Sequence, residues 1–221
     1  MGTNRSEAKQ VNIGVPQGSI LGPILFIIFI NDIFLLPNVD KIVYADDVAF
    51  IVRSKCIKKI KEKSNEAVKL ARNWFESNGL VMNMSKNRNI YFTLKSIGTH
   101  NTESVKFLGI HLDPKLSWNV HCNNLANKLC RNIYALRNLA DNVSTDVLKM
   151  AYHALVQSHI SYGIIVWGNS VQPTRIFGLQ RRAIRIVDGI KYRDECRNSF
   201  RKLSILTLPS LYIYEVLIYY H

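Results

Sequence analysis

The chain has 221 residues, 48% hydrophobic and 20% charged, which excludes a disordered segment and leaves room for one large domain or two small ones. Twenty-nine Lys and Arg against sixteen Asp and Glu give a formal charge of +13 and a pI near 9.7, the balance of a protein that meets a polyanion, nucleic acid or anionic membrane. Cys56, Cys122, Cys130 and Cys196 have neither zinc nor redox spacing, so they are expected to be buried thiols in a reducing compartment, the nucleus or cytoplasm.

Met1 to Gln10 is polar and mixed in charge, unlike a secretory leader, and Val11-Asn12-Ile13 alternates like the tail of a strand. Gly14-Val15-Pro16-Gln17-Gly18-Ser19 reads as a loop, with Ser19 capping a helix that runs through the apolar stretch Ile20 to Leu36 and stops at Pro37-Asn38. That stretch is apolar nearly all round, so the helix is expected to be buried on most faces. Asn31 and Asp32 interrupt it well short of the roughly 20 residues of a bilayer span.

Ile42 to Val52 places Asp46 and Asp47 between two apolar runs rich in β-branched residues, the pattern of a hairpin with carboxylates at its tip. Two carboxylates about 5 Å apart repel by about 3 kcal/mol at an effective dielectric near 20. One must hold a proton or a cation must sit between them, and a divalent metal resolves the conflict. Arg53, Lys55, Lys58, Lys59, Lys61 and Lys63 then lead into a helix with Ala67, Leu70, Ala71 and Trp74 on one stripe and Gly79 at its end.

A short strand is expected near Ile90 to Leu94, and a strand pair from Val105 to Leu112 broken at Gly109. From Trp118 the texture is helical. Cys122, Leu125, Leu129, Ile133 and Leu136 form one stripe, and Leu148, Ala151, Tyr152 and Leu155 another behind a Ser144 cap. Pro173-Thr174 opens a helix carrying Arg175, Arg181, Arg182 and Arg185. Further helices are expected near Glu195 to Leu203 and from Pro209. His153 and His159 lie on different faces and read as structural. The fold class is α+β, with a boundary near residue 117: a mixed region over residues 1–117 and an all-helical region over residues 118–221.

Taken together, these stretches resemble the reverse transcriptase of a jockey-like non-LTR retrotransposon. Gly14-Val15-Pro16-Gln17-Gly18-Ser19-Ile20-Leu21-Gly22-Pro23 is similar to the family's substrate-pocket loop and helix start, and Tyr44-Ala45-Asp46-Asp47 to its catalytic turn. Leu80, Asn83 and Lys86 match the next palm motif, with Asn87 where the family usually has Thr. Phe107-Leu108-Gly109-Ile110 matches the hairpin that grips the primer. Ser161-Tyr162-Gly163, Trp167-Gly168 and Leu206 to Tyr214 resemble its thumb-region sequence.

The resemblance implies a partial right-hand polymerase, with an antiparallel palm sheet and its helices followed by an all-helical thumb. Its activity would be RNA-directed DNA synthesis with Mg²⁺, on an RNA template, a DNA primer and deoxynucleotides, away from any membrane. Asp46 and Asp47 would hold the metal, Tyr44 would lie near the primer end, and Gln17 and Gly18 would border the nucleotide. Lys86 would sit near its phosphates, and Arg181, Arg182 and Arg185 would meet the nucleic-acid backbone. The family's third metal carboxylate comes from a strand upstream of the glycine loop, and the thirteen residues before Gly14 hold only Glu7. The isolated chain is therefore expected to be inactive, and a remnant that only binds nucleic acid through basic helices is the alternative reading.

Overall fold

The computed structural model describes residue 14 and residues 18–37, 39–93, 104–170 and 172–220. Contacts within the chain gather into two compact units, Met1–Asn87 and Arg88–His221. Small antiparallel sheets stand among helices, as the α+β expectation requires.

The first unit opens with α1 (Leu21–Ile30), which tightens into a 3-10 turn over Asn31–Leu35. Ser19 starts it as expected, its hydroxyl accepting the Gly22 N–H at 3.0 Å. Strands β1 (Asp40–Tyr44) and β2 (Asp47–Ile51) pair in register from Asp40 opposite Ile51 to Tyr44 opposite Asp47. Lys41 of β1 donates its ammonium to the Phe34 carbonyl at 3.1 Å and to that of Leu36, so the strand satisfies carbonyls that the helix end leaves open. Helix α2 (Ile57–Ser77) turns Ala67 and Ala71 inward and ends at Gly79, whose φ of +69° carries the chain out.

Burial of α1 differs from expectation. Gly22 and Ile30 are buried, whereas Leu21, Ile24, Leu25, Ile27, Ile28 and Phe29 are exposed. An apolar surface all round a helix says that it can be buried, and not by what. Cys56 and Cys130 are likewise exposed, while Cys122 and Cys196 are buried as expected.

The second unit begins with the expected hairpin, β3 (Val105–Phe107) and β4 (Ile110–Leu112). The reversal at Leu108 and Gly109 uses positive φ at both residues, +45° and +81°, the sense that matches strand twist. No strand forms over residues 90–93, and Leu94 lies outside the described residues. Ile90-Tyr91-Phe92-Thr93 has the composition of a strand, but the sheets of the described residues are β1–β2 and β3–β4, and it joins neither.

Helix α3 (Asn119–Ala140) buries the expected stripe of Cys122, Leu125, Leu129, Ile133 and Leu136. Asp113 organises the entry to it, its carboxylate accepting the amides of Lys115, Ser117 and Trp118 at 2.9–3.1 Å. Helix α4 (Thr145–Tyr152) continues through a π-turn at His153–Gln157 into α5 (Ser158–Ser161). Ser144 stands at the N-cap position, although its side chain makes no capping bond. Leu148, Tyr152, Val156 and Ile160 are all at most 3% exposed. In a pure α-helix residues four apart drift by about 40° per step, and the wider π-turn takes up part of that drift, so all four face the core. Short α6 (Ile164–Trp167), α7 (Pro173–Asp188), α8 (Arg197–Lys202) and α9 (Leu208–Tyr220) complete the unit.

The division after Asn87 lies well upstream of the boundary expected near residue 117. Packing explains the difference. The Tyr162 hydroxyl donates to the Leu108 carbonyl at 2.6 Å, and a Cβ placed on Gly163 would stand 2.5 Å from Ile110 Cδ1. The β3–β4 hairpin thus packs among the helices that follow it.

Candidate active site

The β1–β2 hairpin confirms the expected geometry. The turn is only Ala45 and Asp46, with Tyr44 and Asp47 facing each other as the last pair of the ladder. Directly opposed residues on paired strands share a face, so the Tyr44 ring and the Asp47 carboxylate project to the same side, with Asp46 beside them on the reversal. All three are exposed. Ala45 adopts φ +51°, which costs an alanine about 1 kcal/mol and which glycine would adopt freely. At the open end of the hairpin Arg53 pairs with Asp40 at 2.9 Å, both well exposed, so the bridge adds little stability.

Gly18 stands just before the Ser19 cap with φ +83° and open space where a Cβ would be. A backbone without a side chain at a helix start lets a ligand approach the peptide groups closely. Gln17 lies outside the described residues. Lys86 ends an exposed turn built on Asn83. The Asn83 side-chain oxygen accepts the Ser85 N–H at 3.1 Å and the Ser85 hydroxyl at 2.7 Å, and its carbonyl accepts the Lys86 N–H at 3.2 Å. Asn83 thereby sets the backbone from which Lys86 projects. Gly18, Tyr44, Asp46, Asp47 and Lys86 all belong to the first unit.

Exposed carboxylate oxygens are the donors that magnesium prefers, and no Lys or Arg among the described residues is within ion-pair distance of Asp46 or Asp47. These two side chains therefore fit a divalent cation. Among the described residues no group of three or more His, Cys, Asp or Glu side chains is placed to hold a metal.

Arg181, Arg182 and Arg185 lie on α7 in the second unit. They line a concavity of about 400 Å³ together with Arg175 and Tyr192, two residues that helical periodicity did not single out for a site. Tyr192 follows the chain reversal at Gly189, and only that reversal brings it back to the helix. His121, His153 and His159 stand on the helical run of the second unit. Burial lowers the pKa of each, with a further lowering from His111 at His121, from Lys149 at His153 and from Lys128 at His159. No helix among the described residues is long and apolar enough to cross a membrane.

The chain is 28% identical over 226 residues to a probable RNA-directed DNA polymerase from transposon BS of Drosophila melanogaster, covering 90% of this chain and 25% of the relative. It is 25% identical to a probable RNA-directed DNA polymerase from transposon X-element of Drosophila melanogaster, covering 92% of this chain and 25% of that relative. It is 27% identical to the RNA-directed DNA polymerase from mobile element jockey of Drosophila funebris, covering 88% and 24%. The chain thus spans about a quarter of the length of the curated relatives it matches. No solved structure matches it. The family described as reverse transcriptase (RNA-dependent DNA polymerase) matches residues 1–112, a stretch that takes in the Asp46–Asp47 hairpin and half of the chain, and the chain belongs to that family.

Proposed function

We propose that this chain is part of the RNA-directed DNA polymerase of a jockey-like non-LTR retrotransposon, acting on an RNA template, a DNA primer and deoxynucleotides. The observation that carries the proposal is the Tyr44-Ala45-Asp46-Asp47 reversal, an exposed pair of carboxylates on a two-residue turn in a chain of the reverse transcriptase family. Residues 1–117 supply the palm sequence and residues 118–221 the thumb, and the β3–β4 hairpin, as the primer grip, packs on the thumb helices.

Each side chain has a role that its chemistry suits. Asp46 and Asp47 hold Mg²⁺ and keep the negative charge of the site where the primer 3′-hydroxyl and the nucleotide meet. When bound, the metal supplies charge stabilisation on the attacking and leaving oxygens. The exposed Tyr44 ring, on the face of Asp47, offers a flat contact to the primer end. Gln17 and Gly18 border the incoming nucleotide, where an absent Cβ leaves room for base or sugar. Lys86 brings a cation to the triphosphate and offsets charge as pyrophosphate leaves. Arg181, Arg182 and Arg185 contact phosphates, which makes binding salt-dependent and largely blind to sequence. The four free thiols suit the nucleus or cytoplasm.

The test is primer extension on an RNA template with Mg²⁺, run on this chain alone, on the chain joined to the upstream polymerase sequence, and on the joined protein carrying Asp46→Ala. Templated synthesis is expected from the joined protein and is lost in Asp46→Ala. Activity that survives the substitution would overturn the role assigned to the hairpin.

A further inference from the structure

The concavity on α7 contains more than a run of basic residues. Its four guanidiniums are individually placed and none pairs with a carboxylate among the described residues, where the ion pairs are Arg53–Asp40 and Lys202–Asp188. Arg175 donates to the Asn123 side-chain oxygen at 2.7 Å, and Arg181 lies 5.1 Å from the centre of the Phe177 ring. Arg185 is tethered to the Asp194 carbonyl at 2.9 Å and lies 6.0 Å from the centre of the Tyr192 ring. The Asp194 carboxylate accepts the Lys191 amide at 3.0 Å. Arg182 carries the sharpest signal: its Nε is buried and has no hydrogen-bond partner.

Four positive groups around one concavity repel one another, and an unpartnered buried N–H adds a desolvation cost, so the arrangement asks for an anion with several acceptor oxygens. A phosphate meets that need, since guanidinium forks match its oxygens. Tyr192 adds a second requirement. Tyr192 is 74% exposed beside Arg185, and an aromatic ring open to solvent next to a phosphate site is a platform for a base. A base inside a duplex is already stacked on its neighbours and cannot use that platform.

We propose that this groove holds an unpaired nucleotide of a single strand, its phosphate among Arg175, Arg181, Arg182 and Arg185 and its base stacked on Tyr192. The proposal rests on the reading that the chain works on nucleic acid, and it narrows the ligand of α7 from any polyanion to unstacked RNA or DNA. The chemistry is shared by both strands.

The test is fluorescence anisotropy of the whole chain with a short labelled single-stranded RNA, the DNA of the same sequence, and the matching duplex, each at two salt concentrations. Tyr192→Ala is expected to weaken both single strands about 5- to 100-fold and to leave the duplex unchanged, while Tyr192→Phe retains the binding. Arg182→Gln should weaken every nucleic acid and lower the salt slope by about one phosphate contact. Vesicles of an anionic lipid form a further arm. Unchanged single-strand affinity in Tyr192→Ala, an equal loss on the duplex, or an arginine dependence seen with vesicles and not with oligonucleotides would overturn the proposal. Thermal unfolding of each variant separates lost binding from lost folding. Primer extension by the joined protein reads the hairpin and oligonucleotide binding by Tyr192→Ala reads the groove, so failure of the groove and failure of the polymerase reading are distinguished.

Discussion

Replacing Gln180 with leucine keeps the volume of a fully buried side chain and removes every hydrogen bond it makes. The amide nitrogen donates to the Tyr152 hydroxyl and to the Leu206 carbonyl, both at 3.0 Å, and the amide oxygen accepts the Leu208 N–H at 2.8 Å. Leu208 is the first residue of α9, so Gln180 fixes from inside the core the point at which that helix begins. In Gln180→Leu the Leu206 carbonyl and the Leu208 N–H lose this partner, at about 1–3 kcal/mol each. Tyr152 still donates to the Gln157 side-chain oxygen at 2.9 Å, which spares its hydroxyl. The expected loss is about 2–6 kcal/mol, a large part of the roughly 5–15 kcal/mol that holds a domain together. Tyr152→Phe, which removes one partner and leaves the backbone groups paired, should cost about 1 kcal/mol. Urea unfolding followed by circular dichroism measures both, with the double variant closing a cycle. A loss below about 1 kcal/mol for Gln180→Leu would show that water reaches these groups and that the network is not a lock on α9.

Gly168→Ala places a Cβ 2.5 Å from the Ile164 carbonyl oxygen and 2.7 Å from Tyr212 Cδ2, and should cost about 1–3 kcal/mol in the same assay. Gly178→Ala, with nothing within 4 Å of its Cβ, should instead gain up to about 1 kcal/mol, and equal effects at the two sites would refute the packing argument. Ala45→Gly should stabilise the β1–β2 hairpin by about 0.5–1 kcal/mol, because the relief of φ +51° exceeds the entropy that glycine adds to the unfolded chain; a destabilised variant would contradict this. The lowered pKa of His121, His153 and His159 means that the folded chain favours their neutral forms and the unfolded chain binds more protons near pH 6. Their contribution is therefore fully present above the ordinary value of 6.5 and is lost as pH falls from there through the folded values. A melting temperature that stays flat from about pH 7 to about pH 5 would refute it.

The Asp46–Asp47 hairpin was legible in the sequence because each of its signals is local. Apolar runs rich in β-branched residues stand on either side, and the reversal needs only the two residues between the strands. The stripes of α2 and α3 were legible for the same reason, since a helical period is written in the chain itself. Properties that depend on distant partners were not. Ile90 to Thr93 has strand composition yet joins neither sheet of the described residues, and α1 has a core helix's surface that is exposed over most of its length. The groove on α7 escaped for a further reason: Tyr192 reaches it across the turn at Gly189, and Arg175 stands a helical turn and more before the arginines that drew attention. The π-turn at His153–Gln157 left one trace, apolar residues every fourth position from Leu148 to Ile160, which a plain helical period does not sustain.

The Tyr162 contact bears on how members of this family can be recombined. Exchanging the helical region with that of a relative at residue 117 would separate Tyr162 and Gly163 from the Leu108–Ile110 reversal they support, leaving a leucine at φ +45° without the bond to its carbonyl. A crossover after Asn87 carries hairpin and helices together and keeps that contact within one parent. The hairpin and the helices are in this sense a single transplantable part, and chimaeras joined at the earlier point should fold where those joined at the later one fail.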